Sequence, residues 1–408
     1  MSKNFVGNNI VLGITGSIAA YKAAELTRLY TQKNFQVQAV MSESAEKFIG
    51  AETFHALTKR KVIKSFWEDS GTLQGDDSIE HIDIATWADA IVIAPATAET
   101  IAKLAYGHSD SPLTAIALAS KAQLIIAPAM NTNMLMHPAT QENIAILKKR
   151  GVIIVDPTSG DLACGWVGSG RLAEPIDIYW HTRRALAAQD YKGKKILVTA
   201  GPTREAIDPV RYISNRSSGK MGVSIALEAF RRGAEVTLVH GPMTEPVPGV
   251  LKTVSVISAS DMEKAIIAEG FGKSAAHDIV IMTAAVADYS AIHTSDTKIK
   301  RTKNAMTLDL KPNADILGTM GAKRGKSARP ILVGFAVETS EPDMLLEEVQ
   351  RKIVSKGVDL IVGNIADEAF ENDTNRVWMV EKGGKVHEVA TSSKSRIADK
   401  LMDVILKL

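Results

Sequence analysis

Two doubly wound α/β sheets in tandem are the fold that the sequence predicts, on three observations. Short apolar, partly β-branched runs recur along the chain, separated by stretches with helical spacing, as in a parallel sheet covered on both faces. The opening pattern of strand, small-residue turn, amphipathic helix and second strand occurs twice. It appears as IVLGIT, GSIAAYKAAELTRLY and VQAVMSES from Ile10, and again as KILVTAGP, SIALEAFRRG and VTLVHG from Lys195. A chain of 408 residues, 45% apolar and 23% charged, is long enough for two ordinary domains with sizeable cores. The predicted domains are 1–190 and 191–408, the second sheet beginning at Lys192.

In the first domain, apolar runs predict strands at 10–15, 36–41, 90–94, 123–127 and 152–155. Helical spacing predicts helices near 18–32, 97–106, 112–120, 138–149 and 176–188. GTLQGDDS (Gly71 to Ser78) reads as a polar loop that brings the Ile79–Asp83 segment, with His81, to the surface. PTSGDLACGWVGSGRLAEP (Pro157 to Pro175) is glycine-rich and without periodicity, the composition of a lid. In the second domain, strands are predicted near 196–200, 235–239, 252–256, 278–283, 331–335 and 358–362. Ser218-Gly219-Lys220-Met221-Gly222 leads into an amphipathic helix closed by Gly233. The alternation of lysine-rich and apolar positions between Thr297 and Leu310 predicts a β-hairpin arm. A helix is expected over 342–356, with Lys352 and Lys356 on one face. VWMVEKGGKVHEV predicts a hairpin turned at Gly383-Gly384, and a last helix follows.

A net charge of +2 gives no argument for a nucleic-acid or membrane partner. Cys164 is the one cysteine, so no intrachain disulfide forms and a reducing compartment is expected. The start, MSKNFVGNNIVLG, has no long apolar signal core, and no run of about 18 apolar residues is present to span a membrane. The expected location is the cytoplasm.

The chemistry-bearing residues cluster at predicted strand ends. Thr15-Gly16-Ser17-Ile18 joins the first strand to the first helix, where free N–H groups suit a phosphate; a plain tight turn is the alternative. Ser42 and Pro95-Ala96-Thr97 end two further strands, and three such ends together suggest a pocket floor. His81, between Glu80 and Asp83, reads as an exposed titrating histidine or as a site residue. Asn131, after the apolar run LIIA, is placed to donate an amide to a carboxylate or to stabilise its turn. Cys164, flanked by glycine beside Trp166, is an acid or redox candidate. In the second domain the polar loop after Ala200 carries Arg204, Asp208, Arg211, Asn215, Arg216, Ser217 and Ser218.

GSIAAYK, the histidine of IEHIDI, PAMNTNM and ACGWVGSGR resemble the flavin-dependent cysteine decarboxylases. AGPTREAIDPVRYISNRSSGKMG, AAVADY and KIKR resemble phosphopantothenate–cysteine ligases. In this order, over nearly the whole chain, they resemble the bacterial bifunctional phosphopantothenoylcysteine decarboxylase/phosphopantothenate–cysteine ligase family of coenzyme A biosynthesis. The resemblance implies two Rossmann-like domains, the first of the flavin-dependent cysteine decarboxylase type and holding FMN with Gly16, Ser17, Ser42, Ala96 and Thr97. It makes His81, Asn131 and Cys164 catalytic there: Asn131 orients the substrate carboxylate, His81 assists oxidation or holds the site, and Cys164 returns a proton. The implied route oxidises the thiol-bearing carbon to a thioaldehyde, loses carbon dioxide and reduces the enethiol. For the second domain it implies that CTP with Mg2+ activates 4′-phosphopantothenate as an acyl-cytidylate, which L-cysteine attacks. Asn215 and Lys298 are then catalytic, Lys298 stabilising charge at the acyl phosphate. Arg211 and Asn215 handle the phosphopantothenate end, with Ala284 beside it. Asp288, Ala314, Asp315, Ile316, Leu317, Phe335, Lys352 and Lys356 bind nucleotide or substrate, and Lys300 is a further cation. Ala314 stands where the family commonly has proline. The magnesium ligands are left unassigned. The implied assembly is a homo-oligomer, a dodecamer of trimeric decarboxylase and dimeric ligase domains.

Three rival functions fit the sequence less well. A decarboxylase of peptidyl cysteines is disfavoured by the ligase-like half, which would make the substrate of the first half. A regulatory flavoprotein is disfavoured by the intact ACGWVGSGR. A nicotinamide oxidoreductase is disfavoured because no GxGxxG follows either opening strand.

Overall fold

The computed structural model describes residues 7–66, 80–161, 165, 167–271, 277–301, 305–338, 342–365 and 373–408. The chain divides into two compact units, Met1–Ala188 and Gln189–Leu408.

In unit 1 the elements run β1 (Asn9–Ile14), α1 (Ala20–Gln32), β2 (Gln36–Met41), α2 (Ala51–Thr58), α3 (Glu80–Trp87), β3 (Ala90–Ala96), α4 (Ala98–Tyr106), α5 (Pro112–Ala119) and β4 (Gln123–Pro128). They continue with α6 (Thr132–Met136), α7 (Pro138–Lys149), β5 (Ile153–Ile154), β6 (Thr158–Asp161), β7 (Val167–Arg171) and α8 (Pro175–Ala185). Five parallel strands form one sheet in the order β2-β1-β3-β4-β5. Successive β1 residues serve opposite faces: Ile10, Leu12 and Ile14 join one buried cluster with Leu26 and Tyr30, while Val11 joins another with Ile101 and Ile116. Both faces are therefore covered, which explains why these strands read as unbroken apolar runs. The strand order reverses between β1 and β3, so their carboxyl ends flank a crevice.

Unit 2 repeats that plan and extends it. It contains β8 (Lys195–Ala200), β9 (Arg204–Ala206), β10 (Tyr212–Ser214), α9 (Lys220–Arg231), β11 (Glu235–His240), β12 (Lys252–Ser255), α10 (Ala259–Phe271), β13 (Ile279–Met282), β14 (Tyr289–Ala291) and β15 (Leu310–Pro312). There follow α11 (Ile316–Arg324), β16 (Ile331–Glu338), α12 (Pro342–Lys356), β17 (Leu360–Ile365), β18 (Thr374–Glu381), β19 (Val386–Ser393) and α13 (Lys394–Ile405). The main sheet has the order β12-β11-β8-β13-β16-β17-β18-β19, and its last two strands are antiparallel. The order reverses between β8 and β13. The unit's opening segment is fastened to α13. Tyr191 donates its hydroxyl to the Met402 carbonyl at 2.6 Å, and the buried Arg232 bridges Asp190 at 2.5 Å and Asp403 at 2.9 Å. Such a buried cation is stable only while its carboxylates remain.

Several elements depart from the sequence expectations. The stretch between Pro157 and Pro175 is not aperiodic throughout: β6 and β7 pair antiparallel within it. Among the described residues of the expected 297–310 arm the pairing lies at its base, where β14 pairs with β15. The helix expected after Gly222 already begins at Lys220. Short helices such as α2 and α6 were not anticipated, because eight and five residues are too few to show a period. The loop 71–78 lies outside the described residues.

Candidate active sites at the two switch points

In each unit a buried threonine near the end of the first strand ties it to the strand across the reversal. In unit 1, Thr15 donates its hydroxyl to the Pro95 carbonyl at 2.7 Å and accepts the Thr97 N–H at 3.1 Å. In unit 2, Thr199 Oγ1 accepts the N–H groups of Thr283 and Ala284, both at 3.1 Å, and the Thr283 hydroxyl donates to the Thr199 carbonyl. These bonds fix the crevice floor in both sheets.

Above the unit 1 floor lies a cleft of ≈ 350 Å³, lined among others by Ser17, Tyr21, Lys22, Asn131 and Arg171. Gly16 sits so close to Ser44 that a Cβ would meet the Ser44 Cβ at 2.6 Å. No side chain caps the N-terminus of α1, which leaves that end suited to an anion. Ser42 accepts the Ala45 N–H at 3.3 Å and lies 3.2 Å from the Ser44 hydroxyl. Thr97 caps α4, and Ala96 is fully buried with its carbonyl accepting the Ala129 N–H. Lys22 is buried and its ammonium reaches both Glu174 oxygens at 3.0 Å, while Arg171 reaches the same carboxylate at 3.1 Å. Asn131 caps α6 through the Asn133 N–H at 2.8 Å.

The β6–β7 hairpin is clamped to the Asn131 turn. Met130 donates its N–H to the Gly170 carbonyl at 3.0 Å, and the Thr132 hydroxyl donates to the Ser169 carbonyl at 2.7 Å. Gly170 has φ +134°, and a Cβ there would run into the Met130 carbonyl oxygen. The segment joining the two strands carries Cys164, which lies outside the described residues, as does Trp166. His81, on α3, packs edge-on against Phe66 with ring centroids 5.6 Å apart, and it does not line the cleft. The structure thus gathers Ser17 and Asn131 at one cleft, with Gly16, Ser42, Ala96 and Thr97 at the adjoining strand ends.

At the unit 2 floor a cavity of ≈ 110 Å³ is lined among others by Ser218, Gly219, Lys220, Ala284, Phe335 and Lys394. Asn364 and Asn375 also face it. Gly222 lets α9 press on the floor: a Cβ would meet Ala200 Cβ and Thr283 Oγ1 at 2.6 Å. Asn215 donates its amide to the Val286 carbonyl at 2.9 Å, beside the cavity-lining Ala285. Asp208 accepts the N–H groups of Val210 and Arg211 at 2.8 Å and of Ile299 at 3.1 Å, besides the Arg211 guanidinium. The guanidinium and those N–H groups hold its carboxyl well below the usual carboxylate range. Arg211 also donates to the Ile299 carbonyl at 2.7 Å, so it fastens the segment bearing Lys298 and Lys300, both exposed.

The remaining residues lie around α11. Asp315 caps it through the Gly318 N–H at 3.1 Å, and Ile316 and Leu317 are buried in its first turn. Ala314 precedes this cap. Lys356 reaches Asp315 at 3.2 Å, and Lys352 pairs with Glu338 at 2.6 Å. The Asp288 carbonyl accepts the Asn313 N–H at 2.8 Å. Among the described residues no cluster of three or more His, Cys, Asp or Glu is arranged to hold a metal. Nor is any helix among them long and apolar enough to cross a membrane.

Sequence reasoning did not single out Lys22, Glu174, Asn364, Asn375 or Lys394. Two signals were available. Asn364 interrupts the apolar run of β17 near its carboxyl end. Lys394 opens a helix, where the dipole favours an acid.

Residues 1–186 match the family described as Flavoprotein, and residues 191–408 match the DNA/pantothenate metabolism flavoprotein C-terminal domain. The chain is 40% identical over 408 residues to the coenzyme A biosynthesis bifunctional protein CoaBC of Vibrio cholerae, covering 99% of each chain. It is 41% identical over 407 residues to the same-named protein of Bacillus subtilis, covering 98% of this chain and 97% of that one. A crystal structure of the C-terminal domain of CoaBC is similar at 38% identity and a TM-score of 0.45, over 54% of this chain and 97% of that one.

Proposed function

The chain belongs to the family of coenzyme A biosynthesis bifunctional proteins, with phosphopantothenoylcysteine decarboxylase and synthetase activities, and from that premise we propose how its parts divide the work. Unit 2, within 191–408, ligates L-cysteine to 4′-phosphopantothenate with CTP and Mg2+ through an acyl-cytidylate. Unit 1, within 1–190, decarboxylates 4′-phosphopantothenoylcysteine to 4′-phosphopantetheine with FMN. Both steps take place in the cytoplasm.

The observation that carries the assignment is the pair of threonine-fixed crevices, each opening on a helix N-terminus whose cap residue, Ala19 or Gly219, brings no capping side chain. For FMN, the residues of unit 1 fit: Gly16 leaves the close approach that a larger residue would fill, and Ser17, Ser42 and Thr97 supply hydroxyls beside the end of α1. When bound, the flavin supplies a reversible hydride acceptor. Asn131 orients the substrate carboxylate, Lys22 and Arg171 keep Glu174 fixed at the cleft wall, and Cys164 delivers the proton of the return step. His81 is supplied by a neighbouring copy in a trimeric decarboxylase part, and a dimeric ligase part would complete a dodecamer.

In unit 2, Arg211 and Asp208 hold the segment from which Lys298 stabilises charge at the acyl phosphate. Asn215 holds the acyl-cytidylate. Asp288, Phe335, the start of α11 with Ala314 to Leu317, Lys352 and Lys356 bind the nucleotide, its polyphosphate carrying the magnesium.

The test is an absorbance spectrum of the purified protein and a mass-resolved assay with 4′-phosphopantothenate, cysteine and CTP. A flavin spectrum, pyrophosphate release and 4′-phosphopantetheine are expected. A colourless protein, or one that releases adenylate-type products from ATP alone, would overturn the assignment.

A further inference from the structure

Glu174 is the cap residue of α8, yet its carboxylate forms no bond to the N–H groups of that helix. An acidic residue at a helix start ordinarily accepts from those groups. Here the carboxylate turns to two cations from other elements. Both its oxygens accept from the Lys22 ammonium at 3.0 Å, and Oε1 also accepts from the Arg171 guanidinium at 3.1 Å. Lys22 stands in the first turn of α1 with its side chain 8% exposed, and Arg171 is the last residue of β7. α1 and α8 are joined independently of these charges. The Tyr30 and Thr182 hydroxyls hydrogen-bond at 2.6 Å, and the Tyr30 and Tyr179 rings pack with centroids 6.0 Å apart. The bridge is therefore not what holds the two helices together.

What the bridge does join is the two walls of the unit 1 cleft. Ser17 and the start of α1 form one wall and the Asn131 turn forms the other, with Lys22 and Arg171 lining the same space. β7 is already bonded to the Asn131 turn, through the Gly170 carbonyl to Met130 and the Ser169 carbonyl to Thr132. Glu174 ties the end of that strand to α1. Resting on the decarboxylase activity proposed above, we infer that Glu174 is a positioning residue for that reaction: it sets the spacing between the wall that faces the flavin and the wall that orients the substrate carboxylate. Oxidation of the thiol-bearing carbon needs that carbon held close against its hydride acceptor, and a misplacement of about 1 Å costs such a step about a hundredfold. A carboxylate shared by two cations makes bonds roughly twice as strong as neutral ones, and a carboxamide in its place does not reproduce them.

The full chain is compared with Glu174→Gln, Glu174→Asp and Lys22→Met. Glu174→Gln keeps the shape and loses the charge. Hydrogen exchange of the flavin-free protein should quicken in the β6–β7 hairpin and the first turn of α1, while the rest of α8 stays as protected as in wild type. In the loaded protein, carbon dioxide release from 4′-phosphopantothenoylcysteine in a single turnover should slow roughly tenfold to a hundredfold. The steady-state kcat should fall with it, while KM and the dissociation constant for FMN, read by quenching of flavin fluorescence, stay within about threefold. Glu174→Asp keeps the charge on a shorter arm and should recover part of both the protection and the rate. If Glu174→Gln does not fold, Lys22→Met, which removes the buried cation together with the bridge, should show the same slowing in a folded protein. Exchange that quickens throughout α8, with flavin lost in proportion to rate, overturns the inference, because Glu174 would then only support the unit. An unchanged single-turnover rate overturns it as well. A wild-type chain that releases no carbon dioxide from this substrate would instead sink the decarboxylase assignment, whatever the exchange of the variants shows.

Discussion

Asp208 and Asn215 show how much a single residue of the long loop after β8 is asked to do. Asp208 gathers the loop and the Ile299 backbone around one carboxylate. Its folded pKa is depressed, so the stability it contributes is full above the ordinary carboxylate value of about 3.9 and drains as pH falls towards the folded value. Asp208→Asn should therefore lower the melting temperature of unit 2 at neutral pH, and the gap from wild type should narrow only below about pH 4. A gap that is the same at every pH would show that the charge is not what matters. Asn215→Asp puts a carboxylate beside an anionic intermediate. Conversion of 4′-phosphopantothenoyl-CMP should fall roughly tenfold to a hundredfold while CTP binding persists, which mass detection of the intermediate and nucleotide titration can separate. Asn131 was legible because it stands just past an apolar strand, and Asn215 because it lies in the long polar loop that follows one. Lys394 was not, because its neighbours Lys220 and Asn364 come from distant stretches and nothing near it in the sequence refers to them.

At the scale of elements, the parallel strands were legible because burial on both faces leaves few polar residues in their interiors, such as Gln38 in β2 and Thr199 in β8. The β6–β7 hairpin was illegible for the opposite reason. TSGD and VGSGR show no alternation, and what seats them is the contact with Met130 and Thr132 across the turn of Asn131. Gly170→Ala tests that seat. The added methyl meets the Met130 carbonyl oxygen on a backbone with positive φ, a strain of about 1–3 kcal/mol. Unit 1 should melt earlier, and decarboxylation should fall more steeply than flavin content. Equal losses of both would mean that the hairpin supports the whole unit and not one side of its cleft.

At the scale of the molecule, each unit has its own apolar clusters and its own reversal of strand order. Separately produced 1–188 and 189–408 should each fold. The first should be yellow and decarboxylate 4′-phosphopantothenoylcysteine, and the second should release pyrophosphate from CTP. Insoluble halves that recover only on co-expression would disprove that independence. The two crevices also differ in how far along the chain their parts are spread. In unit 1 the cleft residues run from Ser17 to Leu172, whereas the unit 2 cavity needs Gly201 at one extreme and Lys394 at the other. Synthesis proceeds from the amino end, so a ribosome paused in the codons for β13 has already delivered every piece of the first cleft and lacks Phe335, Asn364, Asn375 and Lys394 of the second. Stalled nascent chains should capture flavin from solution and quench its fluorescence while remaining blind to CTP. The decarboxylase would then be born ahead of the ligase that feeds it.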